Sequence, residues 1–219
     1  MKLGGYSLEV MTTTLPQKVA SGFDKAFEGL VGATYDMIAY LGSKVTNGIN
    51  HAFLATQTLV SGKDISSIVL VVLNEKPNDV GGNTFSIVSI EPYLSNGGKL
   101  GGLTIVPTTK IPEEAMNVFN KHFEGFLGAT INPFALLATQ MVHGMAYVFA
   151  VKTSMMVNPE SVMGETETIE LIKVYSDYSD IESIEVLRGV EPVKDNKPKL
   201  GYAFTWLKNN YSDNGLSWR

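Results

Sequence analysis

The sequence contains no cysteine, which excludes a disulfide framework, a thiol nucleophile and a thiolate-bound metal. Histidine is nearly as scarce: His51, His122 and His143 are the only three. No two of them stand at metal-ligand spacing, and none has a carboxylate four residues away as a helical zinc site requires. Charge is sparse as well, at 18% of residues with a formal net charge of −5. Lysine and arginine do not gather into a stripe, so the chain offers no electrostatic footprint for nucleic acid or anionic lipid. Apolar runs such as Ile68 to Leu73 fall far short of the ~20 residues that cross a bilayer as a helix. The first nine residues, Met1 to Glu9, lack the apolar centre of a secretory signal. These absences lead us to expect a soluble protein, intracellular or particle-associated, without a membrane or nucleic-acid partner.

Catalytic patterns are also missing. Gly81-Gly82-Asn83 lacks the lysine and helix start of a phosphate-binding loop. No nucleophile, base and oxyanion donor stand out as a set. The expectation is a protein that is not an enzyme and needs no cofactor.

What is present is repetition. The 219 residues, 44% of them hydrophobic, suffice for two units of roughly 100 residues. Lys2-Leu3-Gly4-Gly5 recurs as Lys99-Leu100-Gly101-Gly102, and Leu15-Pro16 as Ile111-Pro112. Phe23, Lys25, Phe27, Glu28, Gly29, Gly32, Ala33 and Thr34 recur in order as Phe119, Lys121, Phe123, Glu124, Gly125, Gly128, Ala129 and Thr130. A conserved order over such a distance indicates an internal duplication. Its parts are residues 1–95 and 96–193, with a tail over 194–219.

Periodicity outlines each part. Val19, Phe23, Phe27 and Leu30 keep helical spacing, as do Ala115, Phe119, Phe123 and Phe126. Helices are therefore expected near residues 15–31 and 111–127, opened by Pro16 and Pro112 and stopped by Gly32 and Gly128. Strand-like segments follow: Tyr35–Val45 and Ile49–Leu59 around the hairpin signal Asn47-Gly48, then Ala135–Val142 and Met145–Met155 around His143-Gly144. Ser67–Leu73, Thr84–Ile90, Thr168–Tyr175 and Ser183–Val190 complete the set.

Gln140-Met141-Val142-His143-Gly144 resembles the Gln-x-Val-x-Gly hairpin of the cystatin and stefin family of cysteine-protease inhibitors, and Gly101-Gly102 resembles that family's N-terminal glycine. The resemblance implies an α+β fold: a tandem duplication of a cystatin-like unit, each with one helix packed on an antiparallel four- to five-stranded sheet. It also implies a wedge, made of a glycine-bearing strand and hairpin loops, that fills a papain-type cleft. The first copy keeps only Asn47-Gly48 of the motif. The loops expected at Asn74–Asn78 and Ser176–Asp180 hold no tryptophan where the family has a Pro-Trp pair.

Three functions compete on this basis. The first is a non-catalytic protein-binding protein, with inhibition of papain-like proteases through Gly101, Gly102, Gln140–Gly144 and the Asn47-Gly48 turn. The second is a structural or assembly protein, a homo-oligomer joined through sheet edges. The third, a ligand carrier or enzyme in a cone-shaped fold, ranks last because one helix per copy leaves a pocket without its wall. The tail repeats Lys199-Leu200-Gly201 and carries both tryptophans, Trp206 and Trp218. Residues 199–207, with Trp206 at the contact, are expected to add a strand or pack across an edge.

Overall fold

The computed structural model describes residues 5–60, 64–96, 102–155, 167–177 and 179–189. Proline opens each helix. The carbonyl of Pro16 accepts from the amides of Val19 and Ala20, and that of Pro112 from Met116. The helices that follow are α1 (Gln17–Phe27) and α2 (Glu113–Phe123). Both end sooner than the apolar spacing suggests. Gly29 and Gly125, with φ of 78° and 74°, turn the chain immediately after the helix, which Gly32 and Gly128 were expected to do. Apolar spacing continues through Leu30 while the backbone has already left the helix, and Leu30 and Val31 are exposed.

Among the described residues ten strands form two sheets, each with one of these helices on it. The first sheet holds β1 (Ser7–Met11), β2 (Ala33–Thr46), β3 (Gly48–Val60), β4 (Asp64–Pro77) and β5 (Asn83–Ser95) in that order, all antiparallel. The second holds β6 (Thr104–Thr108), β7 (Ala129–Val142), β8 (Gly144–Met155), β9 (Glu167–Tyr175) and β10 (Ile181–Arg188), again each beside its sequence neighbour. The burial pattern along β2 recurs position by position along β7.

Each sheet buries both faces. Val69, Val71 and Leu73 pack with Phe53 beneath Val19 and Phe23 of α1. Ile172 and Val174 pack with Phe149 beneath Ala115 and Phe119 of α2. The intervening residues Ile68, Leu70 and Val72 point the other way. They meet Leu137, Val148, Ile169 and Leu171 of the second sheet in one continuous core. The Lys152 ammonium donates to the Leu8 carbonyl across this seam, and the Tyr93 hydroxyl to the Val186 carbonyl.

The expected class is therefore corrected. Among the described residues strand makes up 62% and helix 13%, so the described structure is mostly β and not an α+β pair of cystatin-like units. The physical reason lies in the unbroken apolar runs Ile68–Leu73 and Ala146–Val151. A sheet with one solvated face alternates apolar and polar residues, whereas one covered on both sides does not. The two sheets stack on each other, and each eleven-residue helix covers an outer face.

Candidate functional site

The sequence-derived residues lie on two hairpins, one in each sheet. In β2–β3, Val45 pairs with Ile49 and Thr46 with Gly48, leaving Asn47 at the apex. In β7–β8, Met141 pairs with Met145 and Val142 with Gly144, leaving His143 at the apex. The hairpin glycines have φ of 106° and 86°, and both permit close approach. A Cβ on Gly48 would lie 2.4 Å from the Glu75 carbonyl oxygen, and one on Gly144 would lie 2.4 Å from Asp177 Oδ2 and 2.5 Å from Ser176 Oγ.

The second tip is stapled from below and bare above. The Met145 amide donates to Ser176 Oγ at 2.9 Å, and the Ser176 amide returns a bond to the Met145 carbonyl. Ser176 Oγ donates in turn to Asp177 Oδ1. Above this base Met141 is 74% exposed and Val142 38%, with His143 exposed between the strands and Gln140 half-buried opposite Ala146. Val45 and Ile49 give the first tip a smaller apolar flank. Gly102 is half-buried two residues before β6. Gly101, Trp206 and the rest of the tail lie outside the described residues.

One loop expectation is overturned. Asn74 to Pro77 belong to β4, and the turn that follows runs from Asn78 to Gly82, closed by the Gly82 amide on Asn78 Oδ1. Asn74 and Glu75 are buried because both have partners. The Asn74 side-chain amide donates to Asn50 Oδ1 at 2.6 Å and to Thr46 Oγ1 at 3.4 Å, tying the first hairpin to β4.

Glu75 points to the opposite face, into a buried polar network that the sequence reading missed. Its carboxylate accepts from His51 Nε2 at 2.9 Å and pairs with the Lys18 ammonium of α1. With Nε2 donating, His51 Nδ1 accepts from the Tyr40 hydroxyl at 3.2 Å. Burial alone would raise the Glu75 pKa, but hydrogen bonds from Lys18 and His51, together with the Lys18 charge, outweigh it and hold the carboxyl below its ordinary value. Tyr40 is pushed up, chiefly by burial and further by the charges of Glu9 and Glu75, against an opposing bond from Ser43. The available signal was strand parity. His51 shares its face with Phe53, and Glu75 shares its face with Leu73, the residue paired with His51.

In the second sheet a simpler bond occupies the same helix-facing side: the Tyr147 hydroxyl donates to Glu114 of α2 at 3.0 Å. Burial and the Glu114 contact raise the Tyr147 pKa. Both arrangements fasten a helix to its sheet. Among the described residues no group of three or more histidines, aspartates or glutamates could hold a metal ion. Among them, too, no helix is long and apolar enough to cross a membrane. No family model, curated protein or solved structure matches the chain.

Proposed function

We propose that this chain is a non-catalytic protein-binding protein whose contact surface is the tip of the β7–β8 hairpin, with a papain-like cysteine protease as the partner class. The observation that carries the reading is Met141 beside Val142, exposed at the end of two strands paired along their length. An adaptable thioether side chain on a rigid support is suited to filling an apolar subsite at small entropic cost. Gln140, Val142 and Gly144 add the pattern similar to the inhibitor motif.

The test is a titration of papain activity with the intact protein and with Met141→Asp/Val142→Asp. We expect inhibition by the first, its loss in the second, and equal melting temperatures because both side chains face solvent. Full protease activity at saturating concentrations of the unmodified protein would remove the protease as partner.

A second reading, assembly through sheet edges, is favoured by β5. It is the outermost strand of its sheet, thirteen residues long and mostly exposed, with Val88 54% accessible. Two bulges, Pro92 and the charge of Glu91 blunt that edge, which is why this reading ranks second. A sedimentation mass above that of one chain would raise it.

A further inference from the structure

A cleft of about 310 Å³ opens where the two sheets part. Its position follows from three β-bulges. Val88 and Tyr93 are the extra residues on β5, and Val186 is the extra residue on β10. All three line the cleft. A bulge bends its strand and re-aims a side chain, and bulges are enriched beside binding sites. Here the bulges of the two sheets face each other, joined by the bond from the Tyr93 hydroxyl to the Val186 carbonyl.

The lining divides into an apolar floor and a charged, aromatic wall. Leu70 and Val72 of β4 form the floor. Tyr6, Tyr93, Glu91 and Glu185 form the wall. Glu185 is neutralised by Arg188, whose guanidinium binds both carboxylate oxygens. Glu91 forms no ion pair with a described residue, and its charge reaches both phenols. It adds to the effect of burial in raising the Tyr6 and Tyr93 pKa values, with Glu185 contributing at Tyr93. The Lys44 ammonium lies 6.0 Å from the Tyr6 ring centroid, so this ring already meets one cation. A carboxylate without an ion pair among the described residues, set beside two aromatic faces, favours a cation, and the volume sits at the small end of ligand pockets.

We propose that this cleft binds a small organic cation, an alkylammonium or alkylguanidinium, with its charge at Glu91 between the Tyr6 and Tyr93 rings and its chain on Leu70 and Val72. The site is independent of the hairpin contact proposed above.

Agmatine, which carries both groups on a four-carbon chain, is the probe, and calorimetric titration of the full chain is the measurement. Butylurea, of similar shape and uncharged, is the control. We expect saturable agmatine binding and none by butylurea. Glu91→Gln should weaken agmatine binding by about tenfold, the worth of one charge-assisted hydrogen bond. Tyr93→Leu should weaken it too, and Tyr93→Phe, which keeps the ring, should retain it. Glu91 is exposed, so its variant should melt with the unmodified protein, which separates lost binding from lost folding. Absence of saturable binding at millimolar agmatine, equal binding of butylurea, or undiminished affinity in Glu91→Gln would each overturn the proposal.

Discussion

Glu75 illustrates how a buried charge is kept. Its side chain is 7% exposed and so is that of His51, whereas Lys18 is 55% exposed. The inner partner therefore carries most of the energy: a hydrogen bond to a charged group is worth about 1.5–3 kcal/mol, while a solvent-screened ion pair contributes ~1 kcal/mol or less. Lys18→Met should cost little, and His51→Leu, which strands the carboxylate, should cost several times more in chemical denaturation. The pH dependence has a definite sign. Because the folded pKa of Glu75 is depressed, its contribution is complete above the ordinary value of 4.5 and is lost as pH falls through the lower folded value. In acid, the melting temperature of the unmodified protein should fall more steeply than that of Glu75→Gln. Parallel curves would refute the assignment. This network was hidden in the sequence because its members stand 24 and 57 positions from Glu75, and only strand register brings them together.

Among the elements, the hairpins were the most legible. Asn47-Gly48 and His143-Gly144 fall at the observed tips because turn chemistry is local. The two glycines meet different neighbours, and this separates their expected costs. Alanine at either position carries a left-handed backbone penalty of about 1–2 kcal/mol. At Gly48 the new methyl also meets the Glu75 carbonyl, part of a strand that cannot yield, which adds about 1–3 kcal/mol of overpacking. At Gly144 it meets the ends of the Asp177 and Ser176 side chains, which can rotate. Urea midpoints should therefore fall further for Gly48→Ala than for Gly144→Ala, and the reverse order would contradict this account. Helix phase was legible as well, since Phe23 and Phe119 face Phe53 and Phe149 at 5.0 Å. Helix ends were less so. Leu30 and Phe126 prolong the apolar period beyond the turns at Gly29 and Gly125, and periodicity cannot distinguish a helix from a loop that keeps its spacing.

At the scale of the molecule, the repeated element order was visible from Phe23–Thr34 and Phe119–Thr130, but the sequence reading of an α+β pair of units left out the stacking of the two sheets. Its signal was present in Ile68–Leu73, where side chains directed to both sides are equally apolar. Leu41, Leu54 and Leu137, fully buried at the seam, would be bare if either sheet stood alone. Residues 1–95 expressed separately should bind a hydrophobic dye and lack a cooperative melt, while the full chain melts in one transition. A sharp independent transition for that fragment would refute the shared core. The short connection from Ser95 to Thr104 carries a consequence of its own. Two sheets that would otherwise have to find each other by diffusion are held at an effective concentration that reaches millimolar for short tethers. Their association has thus become a first-order step. Damage to the seam should then show as lowered stability independent of protein concentration, and dilution should leave the stacked sheets together.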